Sequence, residues 1–215
     1  KPNSKNILDQ WILARLDGLI KLSTGNLDNY RLLEPVRAMR DFVGDLSTWY
    51  LRRSRDRIKE NDEDAKKTLY FVLKTLAKLL APFAPFAAED IWLKLRNESE
   101  KESVHLEEWP KVSKSLFDMF GMGKKNSGIL PNMRIVREVV SLGLKERQAH
   151  NLPVRQPLAK IEIKICGLGN EYIKLIKEEL NIKEVIETEQ IDDKVLLLTT
   201  ITPELKQEGD YRELV

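Results

Sequence analysis

The chain has 215 residues, room for one large domain or two small ones, with 42% hydrophobic and 33% charged side chains, the balance of a globular protein with a packed core. Charge interrupts every apolar stretch, which excludes a membrane-spanning helix, and Lys1-Pro2-Asn3-Ser4 opens without an apolar leader. A single cysteine, Cys166, excludes an internal disulfide, and two distant histidines, His105 and His150, offer no zinc cluster. The expected compartment is a reducing cytoplasm. Net charge is only +2, yet residues 167–215 hold 6 Lys/Arg against 12 Asp/Glu, which leaves +8 on the first 166. A basic body with an acidic tail points to a polyanionic partner for the first part.

In chain order, Leu8, Trp11, Ile12, Leu16, Leu19 and Ile20 recur with a helical period and predict a helix over 5–27, capped by Asn3 or Ser4. A turn over 26–30 follows. Pro35 suits the first turn of a second helix, where its missing N–H costs nothing. Val36, Met39, Val43, Leu46 and Tyr50 then carry that helix towards Glu60, about seven turns. Asn61-Asp62-Glu63-Asp64 breaks the pattern and supplies caps for a third helix through Leu69, Val72, Leu73, Leu76 and Leu80. Pro82 and Pro85 end it, and Ala88, Ile91, Trp92 and Leu95 mark a fourth. Residues 97–130 read as a polar connection, and Met133, Val136, Val139, Val140 and Leu144 as a fifth helix. After Pro153 the period falls to two: Ile161, Ile163 and Ile165 predict a half-buried strand. A helix over 170–180 and strands at 184–187 and 195–200 complete the expectation.

Chemistry concentrates in one stretch, Asp45-Leu46-Ser47-Thr48-Trp49-Tyr50-Leu51-Arg52-Arg53-Ser54-Arg55-Asp56-Arg57. Arginine offers a planar fork of donors that matches phosphate oxygens and stacks on bases. An aromatic ring stacking an unpaired base contributes about 1–3 kcal/mol. The competing reading keeps Trp49 and Tyr50 in the core, because they continue the apolar stripe, and makes the arginines a solvated face near a helix end that favours cations.

This stretch resembles the anticodon-binding domain of isoleucyl-tRNA synthetases, which are class I enzymes; Thr48 stands where that family carries asparagine. Four further tracts are similar to the family in the same order. They are Asp9-Gln10-Trp11-Ile12-Leu13-Ala14-Arg15-Leu16, the run from Leu79 through Pro82, Pro85 and Glu89 to Trp92, Ser103 to Pro110, and the pair Val154-Arg155-Gln156-Pro157-Leu158 and Ile201-Thr202-Pro203-Glu204-Leu205. The resemblance implies a mainly α fold: a helical anticodon-binding bundle over 1–152 and a small α/β junction unit over 153–215, expected to be cut short at its C-terminus. It implies recognition of the anticodon arm of tRNA-Ile, without a cofactor, catalytic residue or metal ligand in this piece. ATP-dependent activation of isoleucine would belong to a catalytic domain of the same polypeptide, a second partner for these surfaces. The residues expected to contact tRNA are Arg52, Arg53, Arg55 and Arg57, with Trp49, Arg31, Arg134, Arg137 and Arg155 as further candidates. Some of these arginines would equally serve to pack against the catalytic domain. The corresponding domain of a valine enzyme, or a helical protein-interaction module, remains open as an alternative.

Two features point nowhere. Lys111-Val112-Ser113-Lys114-Ser115 resembles the Lys-Met-Ser-Lys-Ser loop that grips ATP in class I synthetases. In that family the loop precedes the bundle, whereas here it follows four helices in a polar connector. Gly121, Gly123 and Gly128 lack both the strand and the Gly-Lys-Ser/Thr that a phosphate loop needs.

Overall fold

The computed structural model describes residues 1–112, 128–164 and 166–211. They are mainly helical, with a small three-stranded mixed sheet. The chain divides into two compact units, Lys1–Leu130 and Pro131–Val215.

In the first unit, α1 (Ile7–Leu27) buries Leu8, Trp11, Ile12, Leu16, Leu19 and Ile20, the predicted stripe. Its cap is Asn6, whose side chain accepts from the Leu8 N–H. Ser4, an expected cap, is otherwise engaged: its hydroxyl donates to Asp9 and accepts from the Asn6 N–H. Next come α2 (Leu33–Asp45), a π-helical turn (Leu46–Leu51) and α3 (Arg52–Lys59). Their junction residues are all right-handed helical, so the three run on as one long helix. It ends where Asn61 adopts a left-handed conformation (φ 65°), which asparagine tolerates better than most residues. Asp62 caps α4 (Glu63–Leu80) through the Asp64 and Ala65 N–H groups. Pro85 opens α5 (Pro85–Leu95) in its favoured N-terminal position.

Between α4 and α5, Ala77, Ala88, Trp92 and Val104 form a buried cluster. Lys74 and Lys78 lie over the Trp92 ring, 4.9 and 5.3 Å from its centroid, a favourable meeting of cation and ring quadrupole. Lys74 pairs with Glu100, and Lys78 with Glu107 at 2.6 Å. Glu89 accepts from the Ser103 hydroxyl and the Val104 N–H. These bonds fold the 97–107 tract, with its 3-10 turn Val104–Leu106, back onto the helices. Trp109 then donates its indole N–H to Thr24 on α1 at 2.8 Å. From Ser113 onward the lysine–serine run lies outside the described residues, as do Gly121 and Gly123.

In the second unit, β1 (Leu158–Lys164) sits between β2 (Ile182–Thr188), parallel to it, and β3 (Val195–Leu197), antiparallel. A parallel pair needs a crossover, and α7 (Asn170–Leu180) supplies it, burying Tyr172, Leu175, Ile176 and Leu180. Ile161 pairs with Leu197 and Ile163 with Val195, and all four are buried on one face. The third expected isoleucine of that strand, Ile165, lies outside the described residues. A last helix, α8 (Pro203–Tyr211), is tied in by Gln156, which donates to the Leu205 carbonyl.

The change of period placed a boundary at residues 152/153. The compact units divide one helix earlier, because α6 (Ile129–Ala149) contributes to the second unit's core. Gly143 of α6 leaves no room for a side chain beside Leu180: a Cβ there would lie 2.6 Å from a Leu180 methyl. Arg147, two residues from its end, is fully buried. Its Nη1 donates to the Pro153 and Gln156 carbonyls, and its Nη2 to those of Leu180 and Asn181, at 2.6–3.2 Å. Burial pushes its pKa down to about 10, while the C-terminal carbonyls of α7 welcome the positive charge.

Candidate nucleic-acid interface

The Asp45–Arg57 stretch lies on the long helix of the first unit, and the π turn decides where each side chain points. Phe42, Leu46, Tyr50 and Ser54 are all buried, at three successive steps of four residues. In a regular helix of about 3.6 residues per turn, that run would drift by about 120° off one face. A π turn absorbs one extra residue and cuts the drift to about 20°. Side-chain donors gather on main-chain oxygens in and beside this turn. Ser47 donates to the Val43 and Gly44 carbonyls, and Thr48 to the Gly44 carbonyl at 2.7 Å. Arg52 Nε donates to the Thr48 carbonyl at 2.8 Å.

On the inward face the chain builds a polar hub around Asp9, which is fully buried. The Asp9 carboxylate accepts from the Ser4 hydroxyl at 2.6 Å, from the Tyr50 hydroxyl at 2.9 Å, and from both Nη atoms of Arg57 at 2.9 and 3.0 Å. Arg57 Nε donates to Asp62 at 2.9 Å, so the residue that caps α4 also closes the hub. Hydrogen bonding to Asp9 holds the Arg57 guanidinium firmly protonated. Burial, and then the neighbouring Asp9 charge, push the Tyr50 phenol far above its ordinary value. The Ala65 N–H, with Arg57, holds Asp62 below the usual carboxylate range. A second inward pair joins the same helices: Arg15 of α1 donates to the buried Asp45 at 2.8 Å.

The predicted residues therefore separate. Arg57 is committed through all three of its nitrogens to carboxylates of its own unit. Arg53 and Trp49 are half-buried beside the inward stripe, and Tyr50 is wholly in the core. Arg52 and Arg55 are exposed, and so is Arg31 in the turn before α2. In the second unit, Arg134 is exposed and Arg137 half-buried on α6, and Arg155 is exposed on the loop before β1.

Sequence reasoning passed over three things. Asp9 was a letter in a motif rather than the centre of a network; its signal was an acid among the apolar positions of α1. Arg37 and Arg40 are exposed on the same helix, upstream of the arginine run. The π turn itself was signalled by the three four-residue steps and the adjacent hydroxyl residues Ser47 and Thr48. Among the described residues no group of acidic, histidine or cysteine side chains is arranged to hold a metal ion, and no helix is long and apolar enough to cross a membrane. Both histidines are exposed.

A family model described as the anticodon-binding domain of tRNA ligase matches residues 9–163. The chain belongs to that family. Among curated proteins it is similar to the isoleucine–tRNA ligase of Clostridium kluyveri (39% identical over 85% of this chain) and to that of Clostridium novyi (40% over 85%). It is also similar to the isoleucine–tRNA ligase of Dehalococcoides mccartyi, 36% identical over 97% of this chain. The chain spans only 18% of the length of the two clostridial proteins and 22% of the third.

Proposed function

We propose that this chain recognises the anticodon arm of tRNA-Ile as part of an isoleucine–tRNA ligase. The observation that carries this reading is the family match over 9–163, joined to an arginine-bearing helix whose outward guanidinium groups are exposed. Its task is positioning. Arginines neutralise phosphates of the anticodon arm, which makes affinity fall with salt, and half-buried Trp49 with neighbouring polar groups contacts splayed bases. Arg52 and Arg55 are the RNA-facing members of the run, with half-buried Arg53 at their flank, while Arg57 holds the helix that presents them. Arg31 on the first unit, and Arg134, Arg137 and Arg155 on the second taken by itself, are further RNA contacts in this reading. Activation of isoleucine with ATP and its transfer to tRNA belong to the rest of the ligase, so this chain is inactive alone and needs no cofactor. The functional division is proposed at 152/153, with 153–215 as an acidic junction whose RNA contact is confined to Arg155 near its start. A cytoplasmic setting follows from a role in translation.

Binding to tRNA-Ile and tRNA-Val transcripts over a range of salt tests the reading. A steep fall of log K with log salt and preference for tRNA-Ile are expected. Salt-independent binding sinks the RNA assignment, and preference for tRNA-Val moves the chain to the valine enzyme. Isoleucine-dependent pyrophosphate exchange by this chain would show that catalysis was wrongly placed elsewhere.

A further inference from the structure

While the inward face of the long helix holds Phe42, Leu46, Tyr50 and Ser54, its opposite face collects cations. Counted at about 100° per residue, with one residue lost in the π turn, Arg37, Arg40, Arg52, Arg55 and Lys59 fall within about 100° of each other on the side opposite Phe42. All five are exposed. Without the extra residue the same five would still span only about 120°, so the grouping comes from the spacing of the cations themselves. Between the two groups the same face carries only Gly44, Ser47 and Thr48, and no atom lies within 4 Å of where a Gly44 side chain would begin. Ser47 and Thr48 fold their hydroxyls onto the helix carbonyls and leave the surface low. Arg52 is steadied at the edge of this notch by its bond to the Thr48 carbonyl. Asp41, paired with Arg40 at 3.4 Å, and Asp56 are the carboxylates nearest the row.

We infer that this outward face is a continuous phosphate track, in which Arg37 and Arg40 grip the RNA backbone on one side of the Gly44–Thr48 notch and Arg52, Arg55 and Lys59 on the other. The inference rests on the tRNA reading above and adds residues to it. Five cations against two carboxylates along roughly 33 Å of helix complement a polyphosphate. The low notch lets a ribose–phosphate strand approach the main chain. Phosphate contacts carry no base information, so the track serves affinity and register, and any discrimination between tRNAs lies elsewhere.

The test compares Arg37→Gln/Arg40→Gln and Arg52→Gln/Arg55→Gln with an off-track control, Lys94→Gln on α5, which changes charge away from this face. Each double variant is expected to bind tRNA-Ile about tenfold more weakly near physiological salt and to flatten the log K against log salt slope by about 1.5. Both should weaken tRNA-Val by the same factor, and the control should stay near the parent slope. An unchanged slope in Arg37→Gln/Arg40→Gln, while the parent chain still binds, overturns the track and leaves the tRNA reading standing. A loss confined to tRNA-Ile overturns the backbone assignment in favour of base contact. A parent chain that binds no tRNA overturns both. Far-ultraviolet circular dichroism of each exposed-site variant, expected to match the parent, separates lost binding from lost fold.

Discussion

Each compact unit draws an arginine inward, Arg57 partly and Arg147 fully, and the two do it by different chemistry. In the helical unit Arg57 meets two carboxylates, Asp9 and Asp62, with the Tyr50 hydroxyl completing the Asp9 shell. In the α/β unit the described partners of Arg147 are four main-chain oxygens. A charge-paired arginine is held as part of an ion cluster whose strength depends on keeping acids ionised. An arginine on carbonyls serves as a fastener that gathers main-chain oxygens from several segments onto one side chain. The first arrangement orients helices with respect to one another; the second closes a loop and a helix end around the sheet.

The largest effect should come from cutting the fastener. Arg147→Ala removes a donor shared by four main-chain oxygens, of which those of Pro153 and Asn181 keep a main-chain N–H, and should destabilise the α/β unit by about 3 kcal/mol. Amide exchange of Ile161 and Ile163 should accelerate while that of α1 stays slow; equal acceleration in both units would mean that the arginine is not local to its sheet. Arg147→Lys should recover only part of the loss, since one ammonium reaches fewer oxygens. Next, Asp9→Ala strips the main counter-charge from Arg57 and should cost the helical unit about 3 kcal/mol in urea unfolding. A loss below about 1 kcal/mol would show that Asp62 alone suffices.

Acid should separate the two arginines more gently. The folded pKa values of Asp62, Glu100 and Glu107 are lowered. Their contribution is therefore complete above the ordinary carboxylate range of about 4 and lost as pH falls through the lower folded values. Asp62→Asn keeps a good cap but not the ion pair. It should flatten the decline of the urea midpoint between neutral and acid pH, and a parallel curve would remove Asp62 from the account. Smallest of all, Arg55→Gln should change stability by less than about 0.5 kcal/mol, since the side chain is exposed. A larger shift would place Arg55 in the fold rather than on the surface.

Much of this architecture could be read from residue order. The α1 stripe, the Asn61–Asp64 break, Pro85 at a helix start and the isoleucine alternation of β1 are local signals, and each lies where expected. What escaped is what depends on distant partners. Arg57 sits in an arginine-rich run, and nothing in that run reveals that Asp9, 48 residues earlier, claims it. Arg147 looks like an ordinary helix-end cation until α7 delivers Leu180 and Asn181 to it. The inner edge of the arginine helix was therefore less legible than its existence. That edge also needed the π turn, which changes by one residue the frame in which every later side chain is counted.

The Asp9 hub also sets a schedule for synthesis. At roughly 5–20 residues per second, Arg57 is made about 2–10 s after Asp9, and Asp62 follows shortly after. Until then α1 carries a carboxylate on its apolar side that water serves better than the core does. Docking of the first helix should thus wait for the third. Protease protection of α1 in ribosome-bound chains arrested at increasing lengths should appear only once Arg57 and Asp62 have cleared the exit tunnel. Earlier protection would mean that the apolar stripe docks with its acid still unpaired.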